Sequence, residues 1–190
     1  MPKRPDFTGV WLNTEIESPD ADAFFRDGLG LNWAIRQIFK STNYGCGKMT
    51  HVIKQTGDTL HCTVNMPEEK TYEQIGDGVP RKTDATNEAA FLWDGDMMMM
   101  IVTKGGGFDM ARYLKDGKMI THLSFKDKPE LTFRRIFERQ DAPAVGIPVA
   151  TANVISAASH PPTTRSEPSS FNPFDFCGCV GRRPRTVSVS

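Results

Sequence analysis

The ten residues Leu131–Gln140, LTFRRIFERQ, decide how this chain is read. Successive side chains of a strand point to opposite faces, so Leu131, Phe133, Arg135 and Phe137 share one side and Arg134, Ile136 and Glu138 the other. The side with two phenylalanines is the one to bury, and it carries Arg135. A buried charge that nothing answers is among the costliest features a fold can hold. The stretch therefore predicts a strand whose inward arginine has a particular task.

A second stretch repeats the pattern. In FDMARYL, Phe108, Met110, Arg112 and Leu114 fall on one side, which embeds Arg112 among apolar neighbours. Around these two stretches lie further strand-length runs, KMTHVIKQ, TLHCTVNM, MMMMIVT and KMITHLSF. Turn signals separate the runs at Gly57-Asp58, Asp94-Gly95, Gly105-Gly106-Gly107 and Asp116-Gly117. Repeated hairpins at this spacing mean an antiparallel barrel or sandwich, and closure into a barrel removes the sheet edges. In an up-and-down barrel Arg112 and Arg135 both point at one enclosed volume. A planar donor fork pairs naturally with a carboxylate, and an otherwise apolar pocket suits a long hydrophobic acid. Strand parity gives the lining as Phe108, Met110, Thr121, Leu123, Phe133 and Phe137. Of Met97 to Met100, two face in and two out, and their flexible thioethers suit irregular apolar space.

Near the start, FTGVWLNTE (7–15) alternates as a strand, and two helical segments follow. In SPDADAFFRDG, Ser18 can cap, Pro19 fits the first helical position and Gly28 can end the turn. In GLNWAIRQIFK, Leu31, Ile35 and Ile38 recur at helical spacing, widened by Ala34 and Phe39. The aromatics Phe24, Phe25, Trp33 and Phe39 are expected to pack this helical pair onto the barrel. Composition changes at Asp141, beyond which lie seven of the thirteen prolines and no sustained apolar periodicity. The expected organisation is a folded domain over about residues 5–140 and a disordered tail over 141–190, where VATANVISAA alone has short-helix character.

Several function classes drop out. Lys and Arg number 23, as do Asp and Glu, and this neutrality argues against a whole-surface nucleic-acid binder. MPKRPDFTGVW lacks the apolar run of a secretory signal, no segment approaches the roughly 20 apolar residues that span a bilayer, and Cys46, Cys62, Cys177 and Cys179 form no CxxC pair. The expectation is a soluble cytoplasmic monomer with reduced thiols. His51, His61, His122 and His160 show no metal-ligand spacing, and His51 and His61 read as solvent-facing strand residues. No nucleophile with a base is evident and KGGGF lacks the rest of a phosphate loop, so neither catalysis nor a cofactor is expected.

Five segments, taken in order, resemble one family: FTGVW, GLGLNWAIRQIFK, HVIKQTGDTL, KGGGFDMARYLKDGKMI and RRIFER. The chain is similar to the intracellular lipid-binding proteins, the cytosolic fatty-acid-binding and cellular retinoic-acid-binding group of lipocalin-like (calycin) barrels. The resemblance covers about residues 5–140. It implies an all-β fold, a closed antiparallel up-and-down barrel of about ten strands with a helix-turn-helix lid, enclosing one lipid acid. It also implies a carboxylate clamp, an arginine on a late strand with an Arg-x-Tyr on the last, which maps onto Arg112 and Arg135. Phe137 stands where the tyrosine would be, so one neutral donor is lost, worth roughly 0.5–1.5 kcal/mol. The family's retinol binders lack these arginines, which favours an acid over an alcohol. Arg139 falls where a terminal arginine braces the first-strand tryptophan, here Trp11. Between Met66 and Asp96 the register is not fixed by the pattern, and nine or ten strands fit.

The implied function is an intracellular carrier of a long-chain fatty acid or retinoid-like acid, with membrane contact through the lid helices. The rival reading is a barrel that binds little and acts through its tail at a membrane or signalling partner. That tail holds Cys177 and Cys179 as acylation candidates beside Arg182, Arg183 and Arg185, with Thr186 and Ser188 at a spacing basophilic kinases accept.

Overall fold

The computed structural model describes residues 4–65, 69–83 and 87–140. The tail readings at Cys177, Cys179, Thr186 and Ser188 lie outside the described residues. The strands are β1 (Gly9–Glu17), β2 (Thr50–Thr56), β3 (Thr59–Asn65), β4 (Glu69–Ile75), β5 (Arg81–Lys82), β6 (Glu88–Asp94), β7 (Met97–Lys104), β8 (Asp109–Lys115), β9 (Lys118–Ser124) and β10 (Thr132–Gln140). They form one antiparallel sheet in the order β4-β3-β2-β1-β10-β9-β8-β7-β6-β5, so every strand but the two at the seam pairs with both neighbours. Among the described residues the strand count left open by the sequence is ten, and β5 has only two residues.

Local chemistry sets the hairpins. The β8–β9 turn has Asp116 at φ 52° and Gly117 at φ 75°, both positive as a type I′ turn requires, and pairs Lys115 with Lys118. β1 carries a register shift between Asn13 and Glu15, a bulge that bends it as it passes from β2 to β10. At the seam the curled sheet is joined by a bridge of Asp77 with Leu92 and by the Gly78 N–H donating to the Phe91 carbonyl at 2.7 Å. The Trp93 indole N–H and the Gly76 N–H both donate to the Asp58 carbonyl, at 3.3 and 3.0 Å, which ties the β2–β3 turn to this edge.

The helical pair differs in detail from expectation. Ser18 does not cap; its hydroxyl donates to the Thr132 carbonyl at 2.8 Å and fastens the end of β1 to β10. Asp20 takes the cap by accepting the Ala23 N–H at 2.9 Å. The short α1 (Ala21–Ala23) then widens into a π turn over Phe24–Gly28. Both Phe24 and Phe25 end fully buried, Phe24 against Phe125 and Phe133 at 5.0 and 5.3 Å between centroids. α2 (Trp33–Ser41) starts at Asn32, whose side chain accepts the Ile35 N–H. Leu31, Ile35 and Phe39, four residues apart, take its inward side. Trp33, expected to pack inward, lies on the opposite side and is 68% exposed, and Ile38 on the flank is 44% exposed. Among the described residues, no helix is long and apolar enough to cross a membrane.

Candidate ligand site in the barrel interior

The interior is two apolar clusters with a polar belt between them, and the strand registers place each part. One cluster, beneath the lid, includes Phe24, Phe25, Met100, Phe108, Met110, Leu123 and Phe133. The other, at the far end, includes Phe7, Trp11, Met98, Met119 and Phe137. Along β8, β9 and β10 the inward residues run Met110-Arg112-Leu114, Leu123-Thr121-Met119 and Phe133-Arg135-Phe137. Arg112 pairs with Thr121 and Thr121 with Arg135, so the two arginines lie in one row. Two strand spacings separate them, about 10 Å between backbones. The row falls between the clusters.

Arg112 is 1% and Arg135 3% exposed, so neither reaches the rim. One terminal nitrogen of Arg112 donates to the Gln74 Oε1 and lies 3.7 Å from the Cys62 Sγ. The Arg135 guanidinium sits over the Phe133 ring at 5.0 Å from its centroid. An amide, a thiol and a π face are thus among the contacts of the two guanidiniums. No Asp or Glu among the described residues is buried. The belt thus brings two guanidiniums into a low-dielectric interior, where a charge-assisted hydrogen bond to an anion is strongest.

His51 completes the belt and corrects the sequence reading. It is 2% exposed and packs on Phe137 at 4.7 Å, whereas His61 lies on the outer face with its Nδ1 3.1 Å from Glu73. Residue 51 pairs with Val64 and residue 61 with Lys54, which puts the two imidazoles on opposite faces of the sheet. Burial first, then Arg112 and Arg135, holds the His51 pKa well below its usual value, so it is neutral near pH 7. Among the described residues, no group of three His, Cys, Asp or Glu could hold a metal ion.

All eight residues singled out for the site, Arg112, Arg135, Phe108, Met110, Thr121, Leu123, Phe133 and Phe137, are buried. Met98 and Met100 are the two buried methionines of the run, as alternation requires. Arg134 faces out and pairs with Glu17 at 2.8 Å, and Arg139 covers Trp11 at 4.6 Å. Sequence reasoning missed His51, Cys62 and Gln74. On β2 the signal was present: Lys54 marks the outer side, which puts His51 and Ile53 inside.

No family model matches this chain. No curated protein matches it either. Solved structures do. The REP1-NXSQ fatty acid transporter superposes with a TM-score of 0.58 at 20% identity, over 73% of this chain and 98% of that one. A tyrosine-to-phenylalanine mutant of the same transporter gives 0.57 at 20% identity, over 71% and 98%. At such identity the likeness is one of fold, and it spans nearly the whole of the other chain.

Proposed function

We propose that this protein is a non-catalytic cytoplasmic carrier that encloses one long hydrophobic acid, a fatty acid or a retinoid-like acid. The observation that carries the proposal is the buried row Arg112-Thr121-Arg135, which sets two inward guanidiniums between apolar clusters. Arg112 and Arg135 hold the carboxylate, and the apolar residues flanking the belt receive the chain. The transporter barrels of like fold, which are named for fatty acids, support this reading. Each buried methylene contributes roughly 0.8 kcal/mol, about fourfold in affinity per carbon. The test is displacement of a fluorescent fatty acid by saturated acids of rising length and by hexadecanol. Acids should displace with affinity that climbs with length and should beat the alcohol of equal length. The proposal is overturned if the alcohol competes as well as the acid, or if Arg112→Ala and Arg135→Ala both bind the acid as the native chain does.

A further inference from the structure

The Arg112–Gln74 hydrogen bond crosses the lumen. β4 and β8 stand six places apart along the sheet and four the other way round across the seam, so they are facing walls. A guanidinium only donates, so the atom that Gln74 turns to Arg112 is its carbonyl oxygen, and this fixes the amide orientation. The Nε2 group then points away from Arg112. It is buried, it makes no hydrogen bond, and Gln74 as a whole is 0% exposed. Buried polar atoms are almost always bonded. A two-hydrogen donor with nothing to donate to, beside a guanidinium in an apolar lumen, points to an acceptor brought by a ligand. The acceptor must also suit Arg112, so it carries negative charge and more than one oxygen.

We propose that Gln74 is a third residue that reads the ligand carboxylate. Its oxygen accepts from Arg112 and serves as a neutral placeholder there. When an acid enters, one carboxylate oxygen accepts from Arg112, and the Gln74 Nε2–H group donates to the carboxylate, so the amide that bridged the lumen becomes part of the grip. An alcohol has a single oxygen and a hydrogen that Arg112 cannot accept, so Gln74 also sharpens the choice of acid over alcohol. Cys62, whose Sγ lies 3.9 Å from the Gln74 Oε1, borders the same spot from β3. The inference rests on the carrier reading above.

The test uses the full chain with palmitate and hexadecanol as competing probes. Gln74→Glu supplies its own carboxylate to Arg112 and opposes the incoming one. Acid affinity should fall about 10- to 150-fold, the range for a charge-assisted hydrogen bond, with alcohol affinity within about twofold. Gln74→Leu removes the amide without adding charge, and acid affinity should fall about 2- to 10-fold with the alcohol unaffected. A variant that is merely less well folded would lose acid and alcohol together. If both variants bind palmitate within about twofold of the native chain, while Arg112→Ala loses it, the role of Gln74 is overturned and the carrier reading stands. If the native chain itself prefers no acid over the alcohol, both fall.

Discussion

Replacing Arg135 by methionine should move stability and binding in opposite directions. The side chain is 3% exposed, lies between Phe133 and Phe137 along β10, and sets its guanidinium 5.0 Å from the Phe133 ring centroid. Methionine has similar length, fills irregular space, and abolishes the cost of keeping a cation out of water. Exchanging buried ionic groups for apolar side chains of similar volume is commonly neutral or stabilising by about 1–4 kcal/mol when no buried counter-charge is left behind, and no Asp or Glu among the described residues is buried. For a folded unit of this size each kcal/mol shifts Tm by about 4 °C. Arg135→Met should therefore melt at the native temperature or up to about 15 °C higher. It should lose one charge-assisted hydrogen bond to the acid, about 1.5–3 kcal/mol, or about 10- to 150-fold in Kd. Thermal unfolding by circular dichroism and fluorescent-acid titration on one preparation read both quantities. A variant that melts several degrees lower and binds acid unchanged would show that Arg135 braces the wall, and the ligand role would be wrong.

Two further outcomes follow from the same interior. Phe137→Tyr adds a hydroxyl donor one inward position beyond Arg135 on β10 and should tighten acid binding about 2- to 10-fold; because the position is fully buried beside His51, the ligand-free protein should melt slightly lower. No gain in affinity would place the carboxylate beyond the reach of residue 137. For His51 the folded pKa lies below the unfolded value of about 6.5, so the unfolded chain binds more protons once the pH drops below that value. Stability is full above about pH 6.5 and is lost as the pH falls toward the folded pKa, by up to about 1.4 kcal/mol per unit. Urea unfolding at pH 7.5, 6.5 and 5.5 should show this slope in the native chain and a shallower one in His51→Gln, with the part-buried His122 leaving a residue of the same sign. Equal slopes in the two proteins would remove His51 from the account.

The inward arginines were legible because alternation is strict on β8 and β10 and because the aromatic or methionine at each flanking position names the buried side without outside information. β4 offers no such cue. Lys70, Tyr72 and Gln74 share one side and Thr71, Glu73 and Ile75 the other, so each side mixes polar with apolar residues. The choice between them is made by pairing with β3, where Leu60 meets Gln74 and Cys62 meets Tyr72. That pairing is long-range information, and no window within β4 contains it. His51 was legible from the parity of Lys54, yet histidine's usual exposure on strands pointed the other way. The lid failed for a third reason. Ser18 and Asp20 are both good caps, and which one serves depends on Thr132, more than a hundred residues later, which takes the serine hydroxyl.

The interior divides the apolar packing between two ends, with the belt between them. The lid-side cluster closes over Phe24 and Phe25, which are held by ring contacts with Phe39, Tyr44, Phe125 and Phe133. The far cluster is anchored by Trp11, whose indole donates to the Phe7 carbonyl at 2.8 Å and whose face is covered by Arg139. Each cluster buries most of its aromatics against its own stretch of ladder, and the belt touches them at Phe133 and Phe137. The charged row is the part of the interior that apolar burial does not explain. Apolar packing alone gives no reason for arginine rather than methionine at positions 112 and 135. What distinguishes arginine there is its donor fork, and a donor fork in a lumen has its use when an acceptor arrives.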